Sequence, residues 1–234
     1  MKTKCFFKVL IFFFFVVIFS NARSDEPKSL WNTLTPNQQE VLQQGKQLLI
    51  TEKVPNAIWP RFHIYSLVRA TPRDVEAVFW DLNDDINYVP DCTKVTVNKR
   101  PAPNIVDATY YLNVPFLPQE VSKVQTEVTL FPHGAYNNTW TVLSSVYSQS
   151  GVGSFLIVPH HQGSLICYTN YVVPKSSIAC LLRNQAESQL KATVKAIVER
   201  VEYQLKKSPQ HHAEQLQQLD DALKKGTQSS TVHE

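Results

Sequence analysis

Apolar residues recur at intervals of three and four between Ser176 and about Tyr203: Ile178, Leu181, Leu182, Ala186, Leu190, Val194, Ile197, Val198 and Val201, with Leu205 just beyond. That spacing is one face of a 3.6-residue helix. Ser176 or Ser177 can cap its first turn after Pro174, which does not belong in the middle of a sheet. A helix of this kind has to bury its stripe, and the chain before it is mostly strand. Arg61–Arg69 alternates, with Phe62, Ile64, Ser66 and Val68 on one face. Six more segments read as strands: Thr93–Lys99, Ile105–Val114, Glu120–Phe131, Tyr136–Ser145, Ser150–Val158 and Ser164–Val173. Proline and glycine turns at 101–104, 132–134 and 160–163 divide them. The pattern predicts an α+β domain in which a sheet wraps a long C-terminal helix.

Shorter helices come first. Thr35-Pro36 and Thr71-Pro72 each offer a capping hydroxyl followed by a first-turn proline. The first pair predicts a helix over about 36–52, weakened by Gly45 and packed outside the domain. The second predicts a helix carrying Val75, Val78, Phe79 and Leu82 inward. Residues 84–91 predict a short helical turn that breaks at Pro90. Beyond Ser208-Pro209 the chain is polar, and residues 207–234 read as a flexible tail with a loose helix through Leu216, Leu219 and Leu223.

Lys2, Lys4 and Lys8 precede the apolar run 9–19 and then Ser20-Asn21-Ala22, the layout of a secretory signal peptide cleaved after Ala22. Residues 23–59 would then be a leader and the N-terminal helix, and 60–206 the main domain. The chain has 23 Lys+Arg against 20 Asp+Glu, and those three lysines carry the excess. Nothing in the charge argues for a nucleic-acid partner. Export to a periplasmic or extracellular compartment permits disulfides. Cys92, Cys167 and Cys180 are odd in number, so a Cys167–Cys180 pair and three buried thiols both stand. Asn137-Asn138-Thr139 matches a glycosylation acceptor.

Three stretches carry a family resemblance: Arg69-Ala70-Thr71-Pro72-Arg73-Asp74-Val75, then Asp81 through Pro90, and Val173-Pro174-Lys175-Ser176-Ser177-Ile178 with Arg183-Asn184-Gln185-Ala186 after it. In this order they resemble the START-like (SRPBCC, polyketide cyclase and lipid-transport) superfamily of exported bacterial type, over roughly residues 60–205. The resemblance implies a helix-grip fold, in which a curved antiparallel sheet and the last helix enclose a hydrophobic ligand cavity. The N-terminal helix and the tail depart from the minimal domain.

The sequence holds no zinc-type His-Glu-x-x-His, no Gly-x-Ser-x-Gly elbow and no nucleotide-binding glycine loop, so no catalytic residue, metal or cofactor is assigned. His160-His161 and His211-His212 read as solvated pairs rather than ligands, because adjacent strand residues point to opposite faces. The expected ligand-binding set is His63, Tyr88, Tyr110, Leu112, Phe116, Trp140, Leu182, Gln185 and Ala186. Gln185, Ala186 and Ser144 would leave room on otherwise apolar faces. Val114–Pro118 reads as a lip at the cavity mouth or as a patch touching a membrane or partner. The expected function is binding of an apolar or amphipathic small molecule, a lipid first, for transfer. Two alternatives stand beside it: a hydrolase or cyclase using His63 or Asp107, and a partner-binding protein with a solid core.

Overall fold

A computed structural model describes residues 30–114, 117–161, 163–175 and 183–229. The expected signal peptide, Phe116, Cys180, Leu182 and the first turns expected for the last helix lie outside them.

All eight strands form one antiparallel, curved sheet. They are β1 (Leu48–Glu52), β2 (Arg61–Val68), β3 (Cys92–Ala102), β4 (Ile105–Leu112), β5 (Glu120–Leu130), β6 (Tyr136–Ser144), β7 (Ser148–His160) and β8 (Gly163–Pro174). The spatial order is β1-β2-β8-β7-β6-β5-β4-β3. Strands β3 to β8 are a meander of sequential neighbours, whereas β2 pairs with β8, Val68 lying opposite Ser164. Helices α1 (Pro36–Gln43), α2 (Pro72–Trp80), α3 (Arg183–Lys207) and α4 (Pro209–Ser229) complete the chain. This is the helix-grip architecture expected from the alternation of the strands and the periodicity of α3.

Period-2 alternation puts Ile64, Ile166, Phe155, Ile157, Val128 and Val106 on the concave face. There they meet Val194, Ile197 and Val201 of α3 and Val75 and Val78 of α2, all without solvent exposure. Each such side chain contributes roughly 1.5–3 kcal/mol by leaving water. The convex face carries a second, smaller core. Leu165 and Val158 pack there with Leu34 and Leu42 and with the half-buried Trp31, Leu48 and Ile50, so the N-terminal segment covers the outside of the sheet.

Two expectations are corrected. The N-terminal helix stops at Gln43, not at residue 52, because Gly45 takes φ +74° and turns the chain. Leu48–Glu52 then pairs with β2 as an extra edge strand. Thr35 does cap the helix, and Gln38 completes a capping box. The second correction is the tail. Residues 209–229 form a regular helix against α2, with Leu219, Gln215 and Ala222 buried.

That docking is polar as well as apolar. His212 lies 2.9 Å from Asp74 and is itself buried. Gln215 donates to Asp81 at 3.1 Å, and His211 sits 3.3 Å from the same carboxylate. Arg73 forks onto Asp220. The His211-His212 pair therefore faces acidic groups of and just beyond α2, His212 buried and His211 still partly exposed. From α3, Arg200 forks onto Asp84 and Gln204 reaches it too. Among the described residues, no helix is long and apolar enough to cross a membrane.

Candidate functional site

The concave face is covered completely at one end and only partly at the other. Around Val194, Ile197 and Val201 the side chains are fully buried. Toward the first turns of α3, Phe79, Tyr88, Val95, Val97, Tyr110, Trp140, Tyr168 and Leu190 pack on the same core yet keep part of their surface accessible. Close-packed interiors rarely leave so many large side chains half-covered together. The half-exposed aromatics therefore mark a stretch of the concave face that is covered incompletely.

Four rings line one side of it. Phe79 stands 4.5 Å from Phe155, Trp140 stands 5.0 Å from Tyr168, and both pairs are tilted. Gly153 makes the arrangement possible. It faces Trp140 across the β6–β7 ladder, and a Cβ there would fall 2.2 Å from the indole Cζ2. The indole lies flat over the strand because that position has no side chain.

The opposite side holds a polar cluster. Asp85, 5% exposed, sits in a 3₁₀ turn after α2. Tyr88 donates to its Oδ1 at 2.7 Å and Tyr110, from β4, donates to its Oδ2 at 2.7 Å. Burial pushes the Asp85 carboxyl up to about 7; the two phenols pull the other way, and Asp81 and Asp84 add to the rise. Burial and the Asp85 charge also hold both phenols well above their ordinary range. A second buried acid, Glu76 on α2, accepts from the Asn138 amide at 2.9 Å, and Thr126 donates to Asn138 in turn. Burial raises Glu76 to about 8.

The rim of the partly covered end is tied together by loops. Asn113 donates its backbone N–H to Asp91, Tyr147 donates to the Pro118 carbonyl, and Gln189 of α3 donates to Pro90 and Asp91. Ile86, Leu117, Leu143 and Val146 are exposed around it.

The expected ligand-binding residues divide accordingly. Tyr88, Tyr110 and Trp140 come together at the partly covered half. Leu112 lies on the Tyr110 face of β4 and is half-buried, as are Gln185 and Ala186 on the first turns of α3. His63 goes elsewhere: it points away from Ile64, out of the convex face, 3.0 Å from Thr169 and 3.3 Å from Glu52. Asp107, the other acid–base candidate, also alternates outward, against Lys99 and Gln125. Cys92 and Cys167 are free and buried. Trp80 is core, with Arg100 over its ring. His160 stacks on Trp31 at 4.4 Å between their ring centroids. Sequence reasoning passed over Asp85 and Glu76, the carboxyls that do reach the interior. The signal for Asp85 was Tyr88 three residues on, one helical turn away.

A concavity, an open groove of about 1020 Å³, lies beside the far end of β2. Lys46, Arg69, Lys195, Glu199 and Glu202 line it, a mixed-charge surface remote from the aromatic wall.

No protein-family profile matches the sequence, and no curated protein matches it. Solved structures do match in fold. A STAR-related lipid transfer protein from Xanthomonas axonopodis superimposes with a TM-score of 0.61 at 14% identity, covering 67% of this chain and 93% of the other. Human STARD10 gives 0.54 at 15%, covering 72% and 78%. The Zhui aromatase/cyclase of a Streptomyces species gives 0.53 at 12%, covering 63% and 96%. At these identities the likeness is one of fold, and the fold is the START-like helix grip.

Proposed function

We propose that this START-like protein binds an apolar or amphipathic small molecule, a lipid first, between the concave face of the sheet and the first turns of α3. The observation that carries the reading is the set of half-exposed aromatic side chains on an otherwise fully buried face. Binding would draw on burial of ligand surface at roughly 25 cal/mol per Å², with the Asp85 cluster setting orientation. Similar folds in a lipid transfer protein and an aromatase/cyclase support a small-molecule site without choosing between carriage and chemistry. Exposed Ile86, Leu117, Leu143 and Val146 around the rim suit brief contact with a membrane during transfer. The Lys2–Ala22 leader supports export to a periplasmic or extracellular space.

The cyclase or hydrolase reading loses its first candidates, since His63 and Asp107 face outward. Native mass spectrometry of the purified chain, followed by denaturing extraction, tests the proposal. A stoichiometric apolar molecule is the expected result. An apo mass unchanged after incubation with a membrane lipid extract would refute lipid binding.

A further inference from the structure

Hydrogen-bond counting at Asp85 gives the site a second property. An ionised carboxylate offers roughly four lone-pair positions and no donor. Tyr88 and Tyr110 each spend their only proton on it, one per oxygen. With Asp85 ionised, the cluster therefore presents acceptors alone: the free lone pairs of the carboxylate and of the two phenol oxygens. Protonation adds a third hydrogen to a cluster with two internal contacts. One hydroxyl is then released as a donor, beside the partly covered rings of Tyr88 and Tyr110.

The surroundings decide what kind of oxygen can enter. Asp81 and Asp84 precede Asp85 in the chain and lie close enough to act on its charge. Arg200 of α3 is committed to Asp84, while His211 and Gln215 of α4 are committed to Asp81. Cys92 of β3 and Tyr168 of β8 also feel the Asp85 charge, and burial keeps both in their neutral forms. Among the described residues no cation contacts Asp85, so a carboxylate or phosphate has no counter-charge there.

We propose that Asp85, Tyr88 and Tyr110 form a proton-governed selector for a neutral ligand oxygen, accepting an alcohol when Asp85 is ionised and donating to a carbonyl when it is protonated. The selector rests on the reading that the partly covered half of the concave face holds a small molecule. Its switch falls in the neutral range, because burial places the Asp85 carboxyl near 7.

A matched pair of probes, 1-decanol and 2-decanone, tests it by calorimetric titration of the purified chain between pH 5.5 and 8.5. Decanol affinity should rise about tenfold from pH 6 to pH 8 and decanone affinity should fall by about the same factor, following the fraction of protein in the competent state. Titrations in buffers of different ionisation enthalpy count the protons. Decanol should release about one at pH 6, and decanone should take up about one at pH 8. Asp85→Asn should flatten both curves. Tyr110→Phe, which removes one donor from the carboxylate, should move both midpoints to higher pH, a shift that a packing role would not produce. Binding of both probes with no pH slope and no proton exchange would overturn the selector and leave the ligand site standing. Slopes that persist in Asp85→Asn would overturn it as well. Binding of only one probe at every pH would overturn the selector alone, and failure of both to bind at any pH would sink the selector and the ligand site together.

Discussion

Glu76 offers the sharpest check on the interior electrostatics. It is fully buried on α2, with one carboxyl oxygen held by Asn138 and the other without a partner. Burial raises it from 4.5 to about 8. Between those two values the folded chain keeps the proton that the unfolded chain has lost. The unfolded state then binds fewer protons, so stability falls as pH rises through this range and levels off above about 8. The cost to the folded state is about 3 kcal/mol at pH 7 as an order of magnitude. Glu76→Gln stays neutral at every pH and can keep its carbonyl toward Asn138, so it escapes the cost. Urea denaturation followed by far-UV circular dichroism, with midpoints and slopes at pH 5, 7 and 8.5, reads the difference. The two proteins should lie within about 1 kcal/mol at pH 5 and then diverge, the variant becoming the more stable. Asp85 contributes with the same sign between 3.8 and about 7, but equally in both proteins. A gap between variant and parent that stays constant from pH 5 to 8.5 would show that Glu76 is not held neutral, and the argument would fail.

Two further substitutions probe the framework. Gly153→Ala drives a methyl to 2.2 Å from the Trp140 ring and 2.6 Å from the Thr169 carbonyl. It should cost about 1–3 kcal/mol, lower the melting temperature by several degrees and alter the near-UV spectrum; an unchanged melt would mean the indole does not lie over β7. Ending the chain after Lys207 deletes the buried Leu219 and Ala222, uncovers the face of α2 they pack on, and removes the α4 partners of Asp74 and Asp81. A loss of at least about 3 kcal/mol is expected in the same denaturation assay, and an unchanged midpoint would show that α4 adds nothing.

Most of the framework was legible because its signals are local. Alternation located β2 to β8 within a few residues, and Thr35-Pro36 and Thr71-Pro72 marked two helix starts. The misreadings had non-local causes. Leu48-Leu49-Ile50 is apolar with either period, and only pairing with β2 makes it a strand. The tail reads as polar because Gln215 and His212 are polar residues. They are nonetheless buried, since Asp81 and Asp74, more than a hundred residues earlier, wait for them. His63 was misplaced by a single step of alternation, which is enough to send a side chain through the sheet. Asp85 escaped notice because the short helical turn expected at 84–91 gives no sign of which acid is buried until Tyr110 closes over it.

The pairing of β2 with β8 has a bearing on synthesis. Each strand from β4 to β8 finds its predecessor a few residues back, so that meander can zip in step with elongation. Strand β2 has only the short β1 beside it until Gly163–Pro174 emerges. A ribosome carrying a chain halted before Gly163 therefore holds a β2 whose long edge is unpaired, the kind of edge that recruits foreign strands. In this protein the element made first among the main-domain strands is secured almost last, and the vulnerable interval runs from Val68 to Gly163.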